Sequence, residues 1–350
     1  MAKYLKQLLR PFSSVYGGIM ALRNSLYDKG VLASEQFDIP VIAVGNLTVG
    51  GTGKTPHVEY LLRLLQKYRV ATLSRGYKRK TKGFVLADAQ ASAARLGDEP
   101  FQYFCDFKEV TVAVSEDRVA GIRQLREQRP ETEVIVLDDA MQHRPVQPSL
   151  NILVTDFYRP FFKDFVLPAG LLRERRKGAA RADAVIMSKC PPGLSGQEQE
   201  RLKLEIKKYT KPGTPVFFTA YSYGNPVSVG LQQPVSKQIL LLTGIANAAP
   251  FKQYLLSEGY TIVQHLAYPD HYFYTEADLQ RVQQLVKQHP QSNLSVLTTR
   301  KDAVKLASAS LSGLVEQLPV FYIPIEVRFL QGAADFDELV LHHVQHGRVR

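Results

Sequence analysis

The chain contains no tryptophan, four methionines and two cysteines, Cys105 and Cys190. Two thiols so far apart in sequence do not build a disulfide framework or a cysteine zinc cluster, and a reducing compartment fits them. Long apolar runs are also missing. A membrane-spanning helix needs roughly eighteen continuous apolar residues, and the longest candidate, Pro11 to Leu22, falls short and carries Gly17 and Gly18. Acidic charge is in deficit, with 33 Asp and Glu against 44 Lys and Arg and a formal net charge of +11. Such a surplus points to an anionic partner, whether nucleic acid, phosphorylated substrate or membrane surface, with a well-solvated surface as the alternative. No zinc-finger or aromatic RNA-binding signature accompanies it, so no nucleic-acid partner is expected.

What is present is ample apolar material. The 350 residues are 45% hydrophobic, enough to bury one large or two ordinary domains. Residues 1 to 30 carry Lys3, Lys6, Arg10, Arg23 and Lys29 against the single acid Asp28. Leu5, Leu8, Leu9, Phe12, Val15, Tyr16, Ile19, Met20, Leu22 and Leu26 supply an apolar side, which suits a helix lying on a membrane surface or one packed on the protein's own core. The segment imitates a signal peptide, but no small-x-small cleavage site follows.

From about Ile39 onward, short apolar runs alternate with helical periodicity, the pattern of an α/β parallel sheet covered by helices on both faces. Strands are expected at Ile39 to Val44, Val70 to Leu73, Val110 to Val114, Val134 to Leu137, Ile152 to Val154, Ala184 to Met187 and Val216 to Thr219. After the Gly/Pro/Ser-rich stretch Tyr221 to Pro234, a second series at Ile239 to Leu242, Thr261 to Val263, Ser295 to Leu297 and Val320 to Tyr322 predicts a second, smaller α/β lobe. The expected division is an N-terminal helix over 1–30, a P-loop NTPase-like core over 31–222 and the smaller lobe over 223–350. The last strands are left free to return to the first lobe.

The strongest local signal is the stretch from Val44 to Thr55, which contains Thr48-Val49-Gly50-Gly51-Thr52-Gly53-Lys54-Thr55 between an apolar strand and a helical pattern in Val58, Leu61, Leu62 and Leu65. Gly50, Gly51 and Gly53 let main-chain N–H groups turn toward phosphate oxygens, and the helix aims its positive end at them. Lys54 then reaches the β- and γ-phosphates of a nucleotide triphosphate, and Thr55 offers its hydroxyl to the accompanying magnesium ion. The usual pattern opens with glycine where this chain has Thr48. A second apolar run, Val134 to Leu137, delivers Asp138-Asp139 to its carboxyl end, where open parallel sheets bind ligands. Adjacent side chains on a strand point to opposite faces, so one carboxylate is placed for magnesium and the other for a neighbouring role. Those two motifs alone leave open an ATPase or nucleotide switch acting on a protein partner.

The run Gly45 to Pro56 together with Leu137-Asp138-Asp139-Ala140-Met141-Gln142-His143 resembles the tetraacyldisaccharide 4'-kinases. Ser74 to Tyr77, Gly97 to Pro100, Leu167 to Glu174, Tyr268 to Tyr272 and Thr299 to Ala303 agree with that family in the same order, over nearly the whole chain. Ala140, where the family usually has glycine, and Arg300, where an acidic residue is frequent, depart from it. The resemblance implies transfer of the ATP γ-phosphoryl to the 4' hydroxyl of a tetraacylated glucosamine disaccharide 1-phosphate at the cytoplasmic face of the bacterial inner membrane, with no obligate protein partner. It implies Asp98 as the base working with His271, although Asp98 on its own reads as a helix cap before Pro100. It also implies Glu99 with Thr55, Asp138 and Asp139 for the metal. Arg118, Arg173, Glu174, Tyr77, Gln142 and His143 are implied for the sugar substrate. A dyad of Asp98 and His271 requires the second lobe to fold over the first. The cluster Arg75, Lys78, Arg79, Lys80 and Lys82 suits lipid headgroups or plain solvation.

Overall fold

A computed structural model describes residues 2–289, 293–308 and 310–346, with the side chains of residues 2–6, and so those of Lys3, Leu5 and Lys6, outside the description. Among the described residues the chain forms two sheets. In chain order the strands of the first region are β1 (Val41–Gly45), β2 (Val70–Ser74), β3 (Val85–Leu86), β4 (Thr111–Val114), β5 (Val134–Asp138), β6 (Leu150–Asp156), β7 (Ala184–Ser188) and β8 (Val216–Tyr223). The second region holds β9 (Val227–Ser228), β10 (Gln238–Thr243), β11 (Thr261–Ala267), β12 (Ser295–Thr299) and β13 (Val320–Ile323), and β14 (Ile325–Phe329) follows. The large sheet runs β14-β8-β7-β6-β1-β5-β2-β4-β3 and the small one β11-β10-β12-β13-β9.

The parallel centre follows from side-chain alternation. On β1, Ile42 and Val44 enter the core that holds Val58, Leu61 and Leu62 of helix Lys54–Leu64, and Val41 and Ala43 enter the opposite core with Ile122 and Leu125 of helix Arg118–Gln128. On β5, paired in register with β1, Val134 and Val136 join the first core and Ile135 and Leu137 the second. Apolar residues at consecutive positions therefore reflect a strand covered on both faces. The same logic divides Leu240 and Leu242 from Ile239 and Leu241 on β10.

The chain does return to the large sheet. β14 pairs antiparallel with β8, and helix Ala333–His346 places Phe336, Val340 and Val344 in the core beneath Val58 and Leu61. The packing of residues 325–346 is thus with the large sheet, while 227–323 carry the small one. No described helix is long and apolar enough to cross a membrane. The N-terminal helix, Ala2–Asp28, leaves Leu8, Phe12, Val15, Ile19 and Leu22 exposed. Its opposite side meets the body, where Ser13 Oγ accepts from the Ala169 amide at 2.9 Å.

Candidate active site

The loop after β1 is braced by its own side chains and by neighbouring strands. Asn46, fully buried, donates from Nδ2 to Thr52 Oγ1 at 2.7 Å. Ser188 at the end of β7 donates to the Thr52 carbonyl at 2.6 Å, and Lys189 donates to the Gly51 carbonyl while pairing with Asp156 at 2.7 Å. Gly53 sits at φ 89°, and a Cβ there would lie 2.4 Å from Tyr221 Oη, so both conformation and space demand glycine. Thr48 is accommodated because its backbone lies outside the left-handed region. There it bridges to Leu172, and the next amide, of Val49, donates to the Leu171 carbonyl at 2.7 Å.

The two aspartates after β5 separate in environment. Asp138 is buried, its Oδ2 accepts from Tyr103 Oη at 3.1 Å, and its Oδ1 has no partner. Burial, with Asp139 and Glu99 nearby, pushes its pKa up to about 6 against the pull of Lys54. Asp139 turns through φ 53° and faces the other way, to Lys54 Nζ at 3.4 Å and Arg173 Nη1 at 3.0 Å. Burial works to raise its pKa, but those two cations outweigh it and hold the carboxyl below its usual range. Tyr103 ties helix Asp98–Asp106 to the end of β5 through Asp138.

At the first turn of that helix, Asp98 Oδ2 lies 3.0 Å from His271 Nδ1, although the two residues are 173 positions apart. Lys301 reaches the other ring nitrogen at 3.2 Å and Glu99 at 3.0 Å. The edge of the Tyr77 ring approaches the imidazole with centroids 5.1 Å apart. Arg300 pairs with Asp106 on the last turn of the same helix and lies over Tyr322 at 4.6 Å, so this departure from the family pattern joins the lobes.

The remaining implied residues divide into exposed and enclosed groups. Arg118 is buried, donates to the Glu116 carbonyl at 3.1 Å and leaves Nε without a partner; burial lowers its pKa to about 10, with the Asp139 charge opposing. His143 is held neutral, its pKa lowered to about 4 by burial and the Arg118 charge, and its Nε2 accepts from the Arg118 amide at 3.2 Å. Glu174 is only 1% exposed, and donors occupy both oxygens: Asn24 at 2.6 Å, Gln142 at 3.0 Å and Arg181 at 2.6 Å. Of the second basic cluster, Arg79 is taken by Glu116 and Lys78 by the Asp270 carbonyl, which leaves Arg75, Lys80 and Lys82 exposed.

A family model described as LpxK, tetraacyldisaccharide-1-P 4'-kinase, matches residues 5–345. The chain belongs to that family. The tetraacyldisaccharide 4'-kinase of Flavobacterium johnsoniae is 45% identical over 347 residues, covering 97% of this chain and 98% of that protein. The one from Phocaeicola vulgatus is 44% identical over 338 residues, covering 93% and 92% respectively. A crystal structure of the "apo" form of LpxK from Aquifex aeolicus in complex with ATP shares 32% identity at a TM-score of 0.75, covering 97% of this chain and 99% of that one.

Sequence reasoning on this kinase missed the braces. Lys189 and Ser188 had one available signal, their place at the carboxyl end of a strand. His57 had none: buried one turn into the helix, it spans from the Gly53 carbonyl at 2.7 Å to Thr219 Oγ1 at 3.0 Å, and burial lowers its pKa to about 4.

Proposed function

We propose that this lipid kinase transfers the γ-phosphoryl group of ATP to the 4' hydroxyl of tetraacyldisaccharide 1-phosphate with Asp98 as the base. The observation that carries the reading is the 3.0 Å contact between Asp98 and His271, with Asp98 on a helix whose Tyr103 donates to Asp138 of the acidic strand. Asp98 takes the hydroxyl proton as the sugar oxygen bonds to the γ-phosphorus. The bond from that phosphorus to the β–γ bridging oxygen breaks, and ADP leaves. Thr48 to Thr55 cradle the triphosphate tail, and Lys54 moves from Asp139 to the transferring group. Arg173, paired with Asp139, and Arg118, with an unpaired Nε, are suited to the phosphoryl oxygens and the anionic sugar. Tyr77 flanks the sugar, Glu174 orients Gln142, and His143 holds the backbone amide of Arg118 at the start of its helix.

Magnesium fits the donors present. Among the described residues no group of three or more His, Cys, Asp and Glu is arranged as a metal site. Mg²⁺ usually takes only one or two protein carboxylates and completes its shell with phosphate and water. The unpartnered Asp138 Oδ1 is an acceptor awaiting a donor or cation, and with the Thr55 hydroxyl it would hold the ion. Glu99 and Asp139 are engaged by lysine and arginine and support the site through those cations. When bound, the ion neutralises phosphate charge.

The exposed stripe Leu8, Phe12, Val15, Ile19 and Leu22 repeats at spacings of four and three, so it lies along one side of the helix. The stripe supports a position on a membrane surface, which we read as the cytoplasmic face of the inner membrane, where a glycolipid presents its sugar. Purified protein with labelled ATP, magnesium and the disaccharide 1-phosphate in detergent should yield a doubly phosphorylated lipid. ATP hydrolysis without that product would overturn the reading.

A further inference from the structure

Lys301 stands on the first turn of helix Arg300–Leu306, whose N-terminus is capped by Thr299 accepting from the Asp302 amide at 3.1 Å. Its ammonium is 3.2 Å from His271 Nε2, 3.0 Å from Glu99, 3.4 Å from Asp270 Oδ1 and 4.0 Å from Asp98. Burial works against its charge, but Glu99, Asp270 and Asp98 outweigh that cost and raise its pKa. Lys301 therefore stays an ammonium, with three donors and no acceptor.

The partner of such a group must present a lone pair. His271 Nε2 is consequently the acceptor nitrogen, and the ring proton resides on Nδ1, where it is aimed at Asp98 Oδ2. A competitor is close: Asp270 Oδ2 lies 3.6 Å from the same Nε2 and would draw a proton there if the ammonium were absent. The ring is also fixed by its own backbone. His271 adopts φ 60°, and its amide donates to the Gly244 carbonyl at 3.2 Å.

We propose that Lys301 is a positioning residue of the transfer site, which holds His271 in the tautomer that donates to Asp98. The proposal rests on the reading of Asp98 as the base and adds what sets the histidine's role: it orients the carboxylate and does not compete for the sugar proton. Since Lys301 and His271 come from the small lobe and Asp98 and Glu99 from the large sheet, the tautomer is set only when the lobes meet.

The test is nitrogen-15 spectroscopy of histidine-labelled full-length kinase in detergent, with the His271 signals assigned by His271→Gln. The wild type should show a protonated Nδ1 and a lone-pair Nε2. Lys301→Met should populate protonated Nε2, lower kcat by about tenfold or more, and leave KM for ATP within about twofold. Lys301→Arg should restore the wild-type spectrum and most of the rate. A wild-type spectrum with protonated Nε2 overturns the proposal even if the methionine variant does not fold, and so does a methionine variant with the wild-type tautomer. If the spectra behave as expected but Asp98→Asn retains full turnover, the positioning role of Lys301 stands and the base assignment falls.

Discussion

Lys54 Nζ rests 3.4 Å from Asp139, a carboxylate that Arg173 also grips. In the proposed reading this lysine exchanges its acidic partner for the γ-phosphate oxygens when nucleotide binds. Lys54→Ala removes a charge contact to the transferring group, and turnover should fall by about a hundredfold or more. Steady-state assays with saturating lipid would measure it, and wild-type turnover would refute the role.

Asp98 and His271 act as one unit in this reading. Asp98→Asn and His271→Gln should each leave nucleotide affinity nearly unchanged while lowering kcat, by about 10²- to 10⁴-fold for the aspartate. The double variant should be little worse than Asp98→Asn alone, because groups acting together lose function non-additively. Equilibrium nucleotide titration beside single-turnover transfer separates the two effects. Parallel loss of both would make Asp98 structural.

Glu59 lies on the buried face of helix Lys54–Leu64 and accepts from Gln102 at 2.6 Å. Burial is the main cause of a pKa raised from 4.5 to about 7. The folded state therefore holds this proton more tightly than the unfolded chain does, and the stabilisation is complete below about pH 4.5 and is lost as pH rises toward 7. Glu59→Gln should be more stable than wild type at pH 8, by on the order of 1–3 kcal/mol, and should lose that advantage near pH 4.5. Urea melts at the two pH values would show it.

Replacing Phe12 and Ile19 by glutamate puts charge on the exposed stripe without touching the face that contacts the body. The double variant should release the kinase from anionic vesicles in flotation assays while retaining most of its kcat on detergent-dispersed lipid. A proportional fall in both would mean that the stripe supports the fold.

Much of this protein was determined along the chain itself. Glycines, Lys54 and Thr55 between a strand and a helix are a local pattern, because a phosphate cradle is built from consecutive main-chain amides. The apolar runs of β1 and β5 announced doubly covered strands for the same reason, since burial on both faces removes polar alternation. Tertiary structure alone decided the rest. That Asp138 keeps an open oxygen while Asp139 pairs with Lys54 depends on a backbone turn at φ 53° and on Tyr103 and Arg173 arriving from elsewhere. The Asp98–His271–Lys301 arrangement and the Arg300–Asp106 pair depend on two lobes meeting, and β14 found its partner in β8 after an entire second sheet had intervened. Spacing in sequence carries information about neighbours one helical turn or one strand away; charges brought together from opposite lobes are set by packing, which no local periodicity encodes.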